Sequence, residues 1–346
     1  MPSKSPEDPI EQEFDQYFSQ IFNLQEPGGA IAIVRNDTIL YQKGFGIADL
    51  ETGEKITPNT LFNLGSISKT FVANGILLLQ EAGKLSVEDN LIKYFPEFKH
   101  QEFAKKIKIK HLLTHTSGLP DNRQVADHIE FYLTALDAEN WHPVTQTDTL
   151  MFAPGTQYEY SNPAFNGLAL IIEKVSGKKW QEFIIENIMK PAGMLTSTIT
   201  DGPHPESGVS HGYVLENGSW QELDYGEEPT FPAAGNGGVW SSVRELINYE
   251  NALQNASFLK PETIKDSRTI KTFENWQGEI PPFIGWSWFI EKSPTGLRTV
   301  GHTGSQGGFL CNYVTVPEKG IHFVILCNTP RDVDGMTRKI FEVLGL

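Results

Sequence analysis

Three short groups of residues in this chain carry side chains capable of covalent chemistry. Ser66-Ile67-Ser68-Lys69 sets a hydroxyl three residues before an amine. Tyr160-Ser161-Asn162 sets a phenol two residues before an amide. His302-Thr303-Gly304-Ser305 puts an imidazole and a glycine on one stretch. A hydroxyl activated by an amine, a phenol that passes a proton and a glycine-bearing strand that pairs with an acyl group are the parts of acyl transfer through serine.

The S-x-x-K spacing occurs three times, at Ser66, Ser176 and Ser257, so context must choose. Ser176-Gly177 closes an expected helix and Ser257 follows another. Only Ser66 stands after a glycine at the start of a long apolar run. On a helix, residues i and i+3 share a face, so Lys69 can reach the Ser66 hydroxyl. The helix N-terminus brings positive potential, and burial disfavours an ammonium. Both lower the lysine pKa and favour the neutral amine as a base.

Tyr160 and Asn162, two apart in an extended segment, face one side. The phenol could then pass a proton to a leaving group, and the Asn162 amide could hold Lys69 or a substrate carbonyl. Asn162-Pro163 also reads as the start of a helix. His302 and Gly304 alternate on one strand face, where the missing side chain lets a substrate backbone pair as an added strand.

Two rival motifs are weaker. Gly208-Val209-Ser210-His211-Gly212 matches G-x-S-x-G, but that elbow needs a strand before it and a helix after it, and loop-like Asp201–Glu206 precedes it. His111 and His115 have i, i+4 spacing, yet no glutamate lies between them and no third ligand stands out, so a hydrogen-bonded structural role is expected.

The elements that must hold these groups follow from hydrophobic pattern. Residues 8–24 read as an amphipathic helix, and 29–35 and 38–45 as strands joined at Asn36-Asp37, a two-residue hairpin signal. Residues 68–83 form a helix apolar nearly all round, fit for a domain centre. Further helices are expected over 163–176, 179–189, 241–255 and 332–344, and strands over 285–291, 298–303, 308–316 and 321–328. The expected fold is α/β (α+β): a mostly antiparallel sheet flanked by N- and C-terminal helices, with a helical insertion. One catalytic domain, 1–346, would combine a sheet body (1–65 plus 266–346) with a mainly helical region (66–265). The site should sit at their junction. Loops after Pro120 and over 200–235, with Trp141, Tyr158, Tyr213 and Trp240, are the expected pocket wall.

Composition narrows the rest. With 346 residues, 39% hydrophobic, the chain can bury a substantial core. A net charge of −15 leaves no basic stripe for nucleic acid, and the KKIKIK run at 105–110 reads as a solvated turn or strand edge. No run is long enough to span a membrane. MPSKSPEDPIEQEF has no apolar core of a signal peptide, so localisation stays open: cytoplasmic if the chain is complete, periplasmic or secreted if a leader was trimmed. Cys311 and Cys327 fall on neighbouring expected strands. Two buried thiols or a cross-strand bridge are both open, whereas burial argues against a thiolate nucleophile.

On these motifs the chain resembles the serine β-lactamase-related family, which includes class C β-lactamases, D-alanyl-D-alanine carboxypeptidases, D-aminopeptidases and esterases. Phe62–Ser66, Ile109–Leu119, Pro154-Gly155-Thr156 and Gly235–Leu246 add to it, and the similarity runs over about residues 10–344. The resemblance implies a β-lactamase/transpeptidase-like fold, with Ser66 as nucleophile, Lys69 as its activator and Tyr160 in acid/base catalysis. It implies that Asn162, His302, Thr303, Gly304 and Ser305 bind substrate, with the N–H groups of Ser66 and Ser305 as an oxyanion hole. It implies a small-molecule or peptide substrate, no cofactor and no metal, and leaves the oligomeric state open. His302 stands where the classical enzymes have a carboxylate-binding lysine, so a weaker hold on carboxylates is expected. The alternative is a relative that only binds peptide or muropeptide ligands.

Overall fold

The computed structural model describes residues 9–123, 136–199, 208–223 and 234–346. Its central feature is one six-stranded antiparallel sheet built from both ends of the chain. The strands are β1 (Gly29–Arg35), β2 (Thr38–Phe45), β3 (Phe289–Lys292), β4 (Arg298–Gln306), β5 (Phe309–Val316) and β6 (Ile321–Cys327), in the spatial order β3-β4-β5-β6-β1-β2. Asn36 and Asp37 both take positive φ, 47° and 65°, as a tight hairpin whose twist matches its strands requires. The strand expected over 285–291 starts only at Phe289. Ser287, at φ 70°, turns the chain, and Ile284 bridges back to Phe289.

Alternation splits the sheet's side chains between two cores. On one face Ile31, Ile33, Phe323 and Ile325 pack with Phe14 and Phe18 of α1 (Pro9–Ile21) and with Met336, Ile340 and Phe341 of α6 (Val333–Leu344). On the other, Ala30, Ala32, Val34, Val324 and Leu326 meet the helical region. There α2 (Ser68–Glu81) lies at the centre, with Phe71, Val72, Ile76 and Leu77 fully buried. Each such side chain contributes about 1.5–3 kcal/mol on burial, and Phe71→Ala would cost about 3–5 kcal/mol. Gly83, at φ 68°, lies just past the end of α2. Around it stand α3 (Asp137–Thr145), α4 (Asn162–Ser176) and α5 (Val243–Gln254). α5 begins after a short strand, Val239–Ser241, because the Ser242 hydroxyl accepts the Glu245 N–H as a cap.

The same alternation decides the cysteines. The β5–β6 register sets Cys311 opposite Leu326 and Cys327 opposite Leu310. The thiols are therefore one residue out of step and project to opposite faces, each into a different core. Both are buried and free, which excludes the cross-strand bridge. KKIKIK is not a strand edge or a simple turn: it spans the end of helix Gln101–Lys106, a connection at Ile107 and Lys108, and the start of helix Ile109–Leu113. Ile107 and Ile109 are buried, and Lys108 and Lys110 pair outward with Glu88. Among the described residues no helix is long and apolar enough to cross a membrane.

Candidate active site

Ser66 stands just before α2 rather than in it, on a single 3-10 turn, Gly65–Ile67, that runs straight into the helix. Gly65 turns the chain with φ 50°. Helical geometry carries through the junction, so the expected three-residue reach holds: Lys69 Nζ lies 2.9 Å from Ser66 Oγ. Lys69 is fully buried, 0% exposed. Its Nζ also lies 2.9 Å from Asn162 Oδ1 and 2.8 Å from the Asn236 carbonyl oxygen. Burial first, then the charge of Arg123, hold its pKa well below the usual lysine range. The neutral amine has two N–H bonds and one lone pair. Asn162 Oδ1 and the Asn236 carbonyl can only accept, so they take the two N–H bonds. The lone pair is left facing the Ser66 hydroxyl, the direction a base needs.

Tyr160 completes this cluster. Its hydroxyl hydrogen-bonds Ser66, and burial pushes its pKa up to about 12, with the Ser66 bond opposing. Its ring lies 5.1 Å from Lys69 Nζ and stacks on His115 with centroids 4.4 Å apart. His115 Nδ1 accepts the Ser161 N–H at 3.0 Å, which leaves the ring proton on Nε2. Buried, it stays neutral. His111 Nδ1 accepts the Lys108 N–H at 3.1 Å. Both histidines thus have the expected hydrogen-bonded structural role, and His115 additionally backs the phenol. The cap of α4 is Ser161, whose hydroxyl accepts the Ala164 N–H. Asn162 is instead the first helical residue, and its side chain is free to hold Lys69.

His302, Thr303, Gly304 and Ser305 lie on β4. That strand pairs with short β3 only from Arg298 to Gly301. Beyond Gly301 no described strand pairs with the side of β4 that faces away from β5. An added Cβ on Gly304 would lie 2.0 Å from the Leu64 carbonyl oxygen, and one on Gly65 would lie 2.8 Å from the Ser305 nitrogen. The nucleophile turn and the strand therefore abut backbone to backbone, and only glycine fits at either contact. His302 is buried, and its Nδ1 donates to the Thr303 carbonyl at 2.6 Å. Burial, then Lys69, lower its pKa to about 3. A solvated imidazole titrates at about 6.5, so burial removes the charge that an exposed histidine could offer here. The ring is neutral throughout the physiological range and supplies no cation.

These residues open on a cleft of about 630 Å³, whose wall also includes Phe289, Leu310, Arg331, Asp332, Val333 and Asp334. The four expected aromatic wall residues are elsewhere. Trp141 packs on Phe95 and Phe98, Trp240 on Phe309, and Tyr158 on His115 and Phe283. The Tyr213 hydroxyl accepts the Leu50 N–H. Trp141, Tyr213 and Trp240 are buried and Tyr158 is half-buried; a sequence cannot distinguish a large ring that fills core from one that lines a pocket. Much of the expected loop wall falls in 124–135, 200–207 and 224–233, outside the described residues. Sequence reasoning also missed Asn236 and Arg123. Asn236 acts here through its backbone carbonyl, which leaves no residue signature.

The rival serines are not arranged for chemistry. Ser210 is fully buried, with Oγ 3.4 Å from the Ala48 carbonyl oxygen. Ser176 lies 3.3 Å from the Lys178 carbonyl oxygen, and Ser257 is exposed. Among the described residues no group of three or more His, Cys, Asp or Glu side chains could hold a metal.

Known proteins resemble this chain in sequence and in fold. A model of the Beta-lactamase family matches residues 12–345. Penicillin-binding protein 4* of Bacillus subtilis (strain 168) is 30% identical over 336 residues, 92% of this chain and 71% of its own length. Protein flp of Staphylococcus aureus (strain MW2) is 30% identical over 311 residues, 87% of this chain but only 59% of its own. The octameric penicillin-binding protein homologue from Pyrococcus abyssi superposes with a TM-score of 0.78 at 27% identity, over 92% of this chain and 73% of that one. A penicillin binding protein from Bacillus halodurans superposes at 0.82 with 22% identity, over 97% and 99%. The mixed α/β fold with its mainly antiparallel sheet is common to these structures.

Proposed function

The chain belongs to the Beta-lactamase family, and from that premise we propose that it is a serine hydrolase forming an acyl-enzyme on Ser66 with an amide, ester or β-lactam substrate. The observation that carries this reading is the fully buried Lys69 Nζ, 2.9 Å from the Ser66 hydroxyl and within reach of two acceptors, Asn162 Oδ1 and the Asn236 carbonyl.

The sequence of events follows from the geometry. Lys69 takes the Ser66 proton as Oγ attacks the carbonyl carbon. The oxyanion forms beside the N–H groups of Ser66 and Ser305, each donor contributing about 2.7–4 kcal/mol to lowering the barrier. Tyr160, protonated because burial raises its pKa to about 12, gives its proton to the leaving nitrogen or oxygen and is reprotonated from Lys69. Water then attacks the acyl-enzyme as Lys69 takes its proton, and the Oγ–acyl bond breaks as that proton returns to Ser66 Oγ, releasing the acid. The side of β4 facing away from β5 at Thr303–Ser305 suits an extended acyl substrate pairing as an added strand. Neutral His302 gives a substrate carboxylate no charge to bind; on the wall Arg331 supplies a cation and the adjacent Asp332 and Asp334 oppose a carboxylate.

Intact-protein mass spectrometry after brief exposure to a penicillin, an activated ester and a D-amino-acid amide tests this. Wild type should gain the acyl mass from at least one reagent, and Ser66→Ala from none. An adduct that persists on Ser66→Ala, or no adduct and no turnover with any reagent, would reject the acyl-enzyme on Ser66.

A further inference from the structure

We infer that Asp137 is a positioning residue for the base: it fixes the Gly235-Asn236 peptide segment whose carbonyl holds Lys69. The inference rests on the reading of Lys69 as the activator of Ser66. Asp137 opens α3, is 8% exposed, and does not line the cleft. Its Oδ1 accepts the Gly235 N–H at 2.8 Å and an Asn166 side-chain N–H at 2.7 Å. Asn166, on α4, also donates to Asn236 Oδ1 at 3.1 Å. The backbone of residue 235 and the side chain of residue 236 are thus tied to one buried oxygen, directly or through one amide. The Asn236 carbonyl that accepts from Lys69 at 2.8 Å belongs to this doubly tied segment.

Packing removes the remaining freedom. An added Cβ on Gly235 would lie 2.7 Å from Ala169 Cβ and 2.8 Å from the Phe165 carbonyl oxygen, so the segment is pressed against α4. A buried oxygen with two converging donors is costly to leave unmet, and the donors are equally costly to strand. Burial raises the carboxyl pKa to about 7, against the pull of Gly235 and Asn166. Oδ1 can accept whether or not the other oxygen carries a proton, so the tie works through geometry rather than charge. Without it the Asn236 carbonyl is free to withdraw, and one of the two acceptors that aim the Lys69 lone pair is lost.

The test compares Asp137→Ala, which removes the acceptor, with Asp137→Asn, which keeps an oxygen there. Two readouts are taken on folded protein: the rate of acylation per titratable serine with a neutral activated ester, and the titration midpoint of Lys69. The midpoint is followed by NMR on 13C-lysine-labelled protein, with the resonance identified by its loss in Lys69→Arg. A displaced carbonyl should slow Asp137→Ala at least about 10-fold with KM nearly unchanged and move the Lys69 midpoint, while Asp137→Asn stays near wild type on both. Folded Asp137→Ala with wild-type rate and midpoint overturns the inference, as does Asp137→Asn behaving like the alanine variant. Should Asp137→Ala fail to fold, Asn166→Leu removes the Asn166 bonds to both Asp137 and Asn236 and leaves the Gly235 bond as the one tie; wild-type behaviour on both readouts there overturns the doubly tied segment as what positions the base. A wild type that is never acylated, with a Lys69 midpoint that still moves in Asp137→Ala, would instead reject the hydrolase reading and keep the positioning role.

Discussion

Gly304→Ala adds one methyl group at the tightest point between the strand and the nucleophile turn. The new carbon would lie 2.0 Å from the Leu64 carbonyl oxygen and 3.3 Å from Cys311 Cβ, and contacts under 3.0 Å essentially never occur. Leu64 and β4 must therefore separate by about 1 Å. The turn cannot absorb this locally. The Leu64 N–H is bonded to the Val239 carbonyl, and the Gly65 N–H to Asn63 Oδ1. The shift passes to Ser66, two residues on, and changes the spacing of the Ser66 and Ser305 N–H groups. A misplacement of ~1 Å costs about 100-fold in rate, equivalent to about 2.7 kcal/mol of barrier. The overpacking itself costs about 1–3 kcal/mol of stability. The assay is stopped-flow acylation with a chromogenic ester, at a temperature where circular dichroism shows the variant folded. Acylation within about threefold of wild type, alongside a lowered Tm, would refute the reasoning, because the strand and turn would then have separated without disturbing the chemistry.

Three further outcomes are expected. Lys69 has a folded-state pKa well below the ordinary lysine value of 10.5, so between those two values the unfolded chain binds a proton that the folded one does not. Its contribution therefore makes stability rise with pH across that window, and Lys69→Met should flatten the slope of urea midpoint against pH there; an unchanged slope counts against a neutral Lys69. His302 is uncharged above about pH 3, so the ratio of kcat/KM for a carboxylate-bearing ester to that for its neutral analogue should not fall as pH rises through the ordinary histidine range. A fall near pH ~6.5 would mean that a protonated His302 holds the carboxylate. His115→Phe keeps a flat ring on Tyr160 but strands the buried Ser161 N–H, which should cost about 1–3 kcal/mol in denaturant unfolding; a cost near zero would mean that the bond is replaced.

The parts of the fold legible in the sequence were those fixed by local chemistry. Asn36-Asp37 between two alternating runs predicts the hairpin, because few residue pairs accept positive φ twice. The run from Ser68 to Gly83 predicts a central helix, because no face of it is polar. Ser66, Lys69, Tyr160, Asn162 and His302 come together as their order and spacing suggest. What escaped depends on long-range register or on the main chain. Cys311 and Cys327 look like a possible pair until the β5–β6 register sets them one residue out of step. Asp137 stands in none of the motifs, and nothing local shows that it meets Gly235. The depressed His302 pKa comes from burial beside Lys69, a neighbour distant in the chain.

The place of β1 in the sheet has a consequence for how the molecule comes into being. β1 lies between β2, its neighbour in sequence, and β6, nearly three hundred residues later. A chain growing on the ribosome can form the β1–β2 hairpin early and collapse its helices around α2, but β1 has an unpaired edge until the last strand emerges. β4, which brings Ser305 against Gly65, reaches its place through β5 and β6. Ser66 and Lys69 are thus synthesised long before the strand that would make them useful. Such distant pairing makes assembly slow and holds the unfinished sheet exposed to wrong partners. It also means that the site is assembled only as the sheet closes, so turnover would report completion of the whole sheet.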